Sequence, residues 1–94
     1  MKVFYTERGR EDLNVAFSWY EQQRTGLGLA FLDCVEEVIE TICSMPRLYP
    51  EYYKSFRRAL VRRFPFSVFY TVEEEMIVVH AVFDNRQNPV NYPE

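Results

Sequence analysis

Phe56-Arg57-Arg58-Ala59-Leu60-Val61-Arg62-Arg63, Phe66-Ser67-Val68-Phe69-Tyr70-Thr71-Val72 and Met76-Ile77-Val78-Val79-His80-Ala81-Val82-Phe83 are three runs rich in β-branched and aromatic residues that repeat with a period of two. Phe64-Pro65 breaks the first pair and Glu73-Glu74-Glu75 the second, so the runs predict an antiparallel meander. Strict alternation would put Ala59, Val61, Phe66, Val68, Tyr70, Ile77, Val79 and Ala81 on one side. Leu60, Phe69, Val78 and Val82 would then share the other with Arg58, Arg62, Ser67, Thr71 and His80. That second face is mixed, apolar in the middle and basic at one edge, and a small domain that leaves such a face open offers it to a partner.

Upstream of the meander the period changes. Leu13, Ala16, Phe17 and Tyr20 recur at i, i+3, i+4 and i+7, which predicts an amphipathic helix running to about Gln23. Thr6 is its expected N-cap, and Glu7 suits the positive end of the helix dipole, although Gly9 is unfavourable within the first turns. Thr25-Gly26-Leu27-Gly28 supplies a helix stop and a tight turn. A second helix follows from about Leu29 to Ser44, with Phe31, Val35, Val38, Ile39 and Ile42 on one face and Asp33, Glu36, Glu37 and Glu40 on the other. Pro46 ends it, and the tyrosine-rich Arg47 to Tyr53 segment reads as a loop packed down by its rings. Lys2 to Tyr5 reads as a short first strand and Asp84 to Glu94 as an irregular tail.

The expected fold is α+β in the order β-α-α-β-β-β, a helical hairpin packed on one face of a small, mainly antiparallel sheet of three or four strands. With 94 residues, two domains would each be too small to bury a core, so one domain over residues 1–94 is expected. The 48% hydrophobic and 17% aromatic content argues against a disordered chain. No apolar run reaches the roughly 18 residues of a membrane span, and charges at Glu7 and Arg8 interrupt any signal-peptide core; a cytoplasmic protein with no membrane partner is expected. Cys34 and Cys43 fall on opposite faces of one helix and cannot pair there, which suits a reducing compartment. No spacing of His, Cys, Asp or Glu suggests a metal site, and no cofactor is expected.

The net charge of −3 conceals an uneven distribution. Lys54, Arg57, Arg58, Arg62 and Arg63 lie in a stretch without a single acid between Tyr52 and Val72, more than is needed to protect a sheet edge from pairing. They predict a surface for a macromolecular partner, with Arg63 alternating toward the helices and their acidic run. His80, the only histidine, lacks a partner acid in any catalytic spacing and reads as a bystander. Trp19 reads as the boundary of the helix core. Tyr49, Tyr52 and Tyr53 read as loop packing in preference to a platform for bases.

An ordered set of residues along nearly the whole chain resembles the RelE/ParE superfamily of toxins from type II toxin–antitoxin systems. It comprises Asp12-Leu13, Trp19-Tyr20-Glu21, Gly26-Leu27-Gly28, Phe31, Pro46 to Pro50, Arg58, Leu60 through Phe66, Tyr70, Ala81-Val82, Arg86 and Pro89. It is most similar to the ParE-like, plasmid-stabilisation branch. The resemblance implies a growth-inhibiting toxin neutralised by a cognate antitoxin that wraps it. In the ParE branch the implied target is DNA gyrase; in the RelE branch the implied activity is cleavage of mRNA on the ribosome. The chain departs from the ParE-like pattern at Asp84, Asn88 and the tail, where Tyr92 and Glu94 stand in place of a terminal Trp and Arg.

A metal-free ribonuclease must stabilise the scissile phosphate with side chains alone. By position the resemblance keeps Arg58, with Arg86 and Tyr92 as C-terminal matches, but Leu60 and Ser67 stand where two further basic groups would be. Losing two such donors, each worth ~2–4 kcal/mol in the transition state, favours a binding protein over a nuclease. Arg58, Arg62, Arg63, Arg86 and Tyr92 are therefore the expected target contacts, and Leu60, Phe69 and Val78 the expected antitoxin contacts. The alternatives are an mRNA endonuclease of RelE type and an inactive relative kept for antitoxin binding.

Overall fold

The computed structural model describes residues 1–94. Strand β1 (Lys2–Tyr5) leads through Thr6 into helix α1 (Glu7–Gln23), and α2 (Leu27–Ser44) returns alongside it. Four strands follow: β2 (Glu51–Tyr53), β3 (Phe56–Leu60), β4 (Phe66–Glu73) and β5 (Met76–Asp84). A 3-10 turn at Pro89–Asn91 lies in the tail. The strands form one sheet in the order β1-β5-β4-β3-β2, with β1 parallel to β5 and every other pair antiparallel. The expected α+β layout holds, enlarged to five strands. The fifth is β2, which lies inside the predicted loop and pairs with β3 only at Phe56 and Arg57.

Thr6 caps α1 as expected, its hydroxyl accepting from the Gly9 amide at 3.0 Å. Gly9 itself has a packing reason. A Cβ there would lie 2.6 Å from the Val79 carbonyl oxygen, so glycine is what lets the start of α1 lie directly on β5. At the hairpin turn Gly26 has φ of 91°, and the Glu21 carboxylate accepts from the Gly26 and Gly28 amides at 3.0–3.1 Å. One side chain thereby closes the α1–α2 connection.

Between the helices and the sheet lies a core of 16 buried residues, among them Phe31, Val35, Val38, Ile39 and Ile42 from the predicted face of α2. Tyr70 crosses it and donates to the Pro46 carbonyl at 2.8 Å; burial pushes its phenol up to about 12. Cys34 is buried, Cys43 half-buried, and both are free.

The expected alternation fails at one place in β5. Phe69 faces Ala81 while the next residue, Tyr70, faces Val79, so His80 is an extra residue in β5. This bulge reverses the parity downstream. Ala81, expected on the helix side, belongs to the opposite face with Phe56, Phe69 and Phe83, and Val82, expected on that opposite face, is in the helix-side core. The predicted basic strand is also shorter than expected. It ends at Leu60, leaving Arg63 beyond it with φ of 73°, while Lys54 lies in the β2–β3 turn with φ of 53°.

Candidate functional site

The face of the sheet away from the helices is not an open groove. Phe56, Phe69, Ala81 and Phe83 form a second buried cluster, with Tyr53 and Tyr92 packed against it. Tyr92 comes from the tail. Pro89, at the first position of the 3-10 turn, and Asn88, whose side chain accepts from the Val90 amide at 3.0 Å, bring the chain back across the sheet. The Arg8 guanidinium fastens the same turn by donating to the Asn91 carbonyl at 2.6 Å. The Tyr92 ring centroid then lies 4.9 Å from those of Phe69 and Phe83 and 5.1 Å from that of Tyr53.

Arg58 stands at the border of this cluster. Its Nε donates to Ser67 Oγ at 2.9 Å, and Ser67 in turn donates to Asn85 Oδ1 at 2.7 Å. The guanidinium carbon lies 4.3 Å from the Tyr52 ring centroid, a stacked cation–π contact. Both terminal nitrogens of Arg58 are left without a hydrogen-bond acceptor in the chain, and no carboxylate pairs with it. Contact with the Tyr52 hydroxyl, and then burial, raises the Tyr92 phenol, while the nearby Arg58 charge opposes that shift. The result is a planar cation held from one side and from below, with a two-pronged donor face still free, flanked by two phenols. Such a fork suits a carboxylate or phosphate oxygen pair.

Two of the other predicted target contacts, Arg62 and Arg86, are engaged elsewhere. Arg62 makes a bidentate pair with Glu37, both bonds at 2.9 Å, so it is Arg62 and not Arg63 that meets the acidic face of α2. Arg62 is raised and Glu37 lowered, in each case first by this hydrogen bonding. Arg63 lies 5.7 Å over the Phe64 ring. Arg86 pairs bidentately with Asp84 at 2.8–2.9 Å and lines a cleft on the helix side, away from Arg58. Arg57, not among the predicted contacts, donates to the Tyr49 carbonyl at 2.6 Å and pins the loop before β2. Of the predicted arginines, Arg58 and Arg63 keep free guanidinium donors, and of these two Arg58 alone is also held by a hydrogen bond, to Ser67.

The three predicted antitoxin contacts do not form one exposed patch. Leu60 is 62% exposed at the end of β3, whereas Phe69 is fully buried under the tyrosines and Val78 is buried in β5. Tyr52 and Asn85 were missed as members of the site. Their signal is three-dimensional, since neither contact is local in sequence.

His80 points to the same face but is spoken for. Thr71 Oγ1 donates to Glu73 at 2.8 Å, so at the 2.8 Å contact between Thr71 and His80 the ring Nε2 must be the donor. Burial lowers its pKa, with Glu73 opposing, and Phe56 stands edge-on to the ring at 4.9 Å. Ser67, which occupies one expected basic site, is completely buried. No group of three or more His, Cys, Asp or Glu side chains is placed to hold a metal ion, and no helix is long and apolar enough to cross a membrane.

The model of the ParE toxin of type II toxin–antitoxin systems, parDE, matches residues 3–89. Among solved structures, one described as the chromosomal ParDE TA system from P. aeruginosa superposes with a TM-score of 0.65 at 18% sequence identity, covering 89% of this chain and 95% of that one. No curated protein matches the sequence.

Proposed function

The chain belongs to the ParE toxin family of type II toxin–antitoxin systems, and we propose that it inhibits growth by binding a cytoplasmic target, DNA gyrase, until a cognate antitoxin covers it. Arg58 is the observation that supports binding. It is the arginine stacked on an aromatic ring and buttressed by a serine–asparagine relay, yet open at its donor fork. A rigid, partly desolvated arginine beside tyrosines has the character of an interface hot spot. Arg58, Tyr52 and Tyr92 are accordingly the proposed centre of the target surface, with Arg62, Arg63 and Arg86 at most peripheral.

Nuclease chemistry has less to work with. It needs a proton acceptor near the 2′-hydroxyl and several cations on the phosphate. Here the one histidine donates to Thr71, Leu60 is apolar, and the buried Ser67 serves Arg58.

For neutralisation, β3 offers an edge. Because β2 pairs no further than Arg57, the outer side of β3 from Arg58 to Leu60 has no neighbouring strand. An extended antitoxin segment laid along it would reach Leu60 with an apolar side chain and the Arg58 fork with a carboxylate. Phe69, paired with Arg58 across β3 and β4, would support that contact from below, whereas Val78, opposite Thr71 and beside β1, lies too far from it.

Expression of the chain without antitoxin in bacteria tests the proposal. Growth arrest with filamentation and an induced DNA-damage response is expected, together with loss of supercoiling by purified gyrase. Rapid mRNA loss with codon-phased cuts would transfer the chain to the nuclease reading, and normal growth would leave it an inactive relative.

A further inference from the structure

We propose that the outer face of α1 is a self-association surface through which the chain pairs with a second copy of itself. Leu13-Asn14-Val15-Ala16-Phe17-Ser18-Trp19-Tyr20, the middle of that helix, contains no charged residue in a protein that is 27% charged. Ala16 and Tyr20 are buried in the hairpin, but Val15 and Trp19 project outward at i and i+4, 59% and 50% exposed. The Trp19 ring is held edge-on against Tyr20 at 5.1 Å between centroids, so it presents a fixed knob.

Beside that knob lies a recess. The cleft between α1 and the end of β5 has a volume of about 400 Å³, with Ala16, Phe66 and Val82 among its apolar lining and Trp19 itself as part of its wall. Asp84 and Arg86 pair at its rim, and Asp12, the third charged residue of the lining, is paired with Arg8 at 3.4 Å. In a two-fold interface each copy must offer both the projecting group and the site that receives it on the same patch. The α1 face does so.

Charge decides the occupant. The outer face of α2 carries Asp33, Glu36, Glu37 and Glu40, and the region around β3 carries Lys54, Arg57 and Arg58, so either surface would repel its own copy. The α1 face meets itself without like charges at its centre. In an antiparallel crossing Val15 of one copy lies against Trp19 of the other, small Ser18 sits near the crossing point, and Glu11 approaches the uncharged Gln22. The surface is separate from Arg58, and its test is independent of toxicity.

Sedimentation equilibrium of the full chain, read together with the emission of its single tryptophan, tests the pairing. The mass should rise from monomer to dimer with concentration, and the Trp19 emission should shift to the blue in step. Trp19→Lys and, separately, Val15→Lys should each weaken pairing at least about thirtyfold while leaving the far-ultraviolet circular dichroism unchanged. A wild-type chain that stays monomeric with constant emission overturns the proposal, as does a dimer that neither variant weakens. A monomer whose emission shifts only on adding an unlike protein would also overturn it, by assigning the face to a heterologous helix.

Discussion

The two sides of the sheet are closed in different ways. On one, 16 buried residues are sealed by helices of 17 and 18 residues whose backbones carry their own hydrogen bonds. On the other, four buried residues are covered by tyrosine rings from a three-residue strand and the tail. A helix side built on continuous amphipathic faces supplies the stability of the fold. The tyrosine side is expected to contribute less to stability, and it is there that Arg58 keeps its terminal nitrogens free.

Substitutions that empty the helix side should cost the most. Phe31→Ala removes a fully buried ring stacked among Tyr20, Phe64 and Phe66, and about 3–5 kcal/mol should be lost in urea unfolding. Gly9→Ala pushes a methyl group onto the Val79 carbonyl and should cost about 1–3 kcal/mol by the same measurement. Tyr92→Ala uncovers Phe69 and Phe83 and should cost about 1–2 kcal/mol, with faster amide exchange confined to β4 and β5 near those rings. A loss at Tyr92 equal to that at Phe31 would erase the distinction between the two sides.

Acid should weaken the tyrosine side through His80. Burial holds its folded pKa below the unfolded value of 6.5, so as the pH falls the unfolded chain takes up the proton first. The contribution is complete above about pH 6.5 and is lost as the pH drops through the folded value. Urea midpoints at pH 7.5 and pH 5 should therefore fall further for the wild type than for His80→Gln. Equal falls would show that the ring does not titrate in this way. Smallest of all, Arg62→Ala should leave the thermal midpoint unchanged, because the Arg62–Glu37 pair is solvent-exposed.

The helical hairpin and the meander were legible because their apolar residues keep period 3.6 or period 2 over whole elements, as at Val35, Val38, Ile39 and Ile42. Strand β2 was hidden by its length and its three exposed or half-exposed residues. The bulge at His80 was hidden because a period-2 reading carries parity forward without checking it. Its trace is the apolar pair Val79 and Val82, three apart, which cannot share a face of a regular strand. The arginines show the deeper limit. Sequence displayed a run of like charges, but which of them finds a partner depends on contacts such as Arg62 with Glu37, 25 residues away. What reads as a stripe folds into engaged cations (Arg57, Arg62), unpaired ones in turns (Lys54, Arg63) and Arg58, held through Ser67 with its fork still free.

That separation of Arg58 from its neighbours is the central claim, and viability of cells expressing each variant without antitoxin tests it most directly. Arg58→Ala, shown to be folded by its thermal midpoint, should restore colony formation, while Arg62→Ala should kill as the wild type does. Equal killing by both variants, or rescue by Arg62→Ala alone, would contradict it.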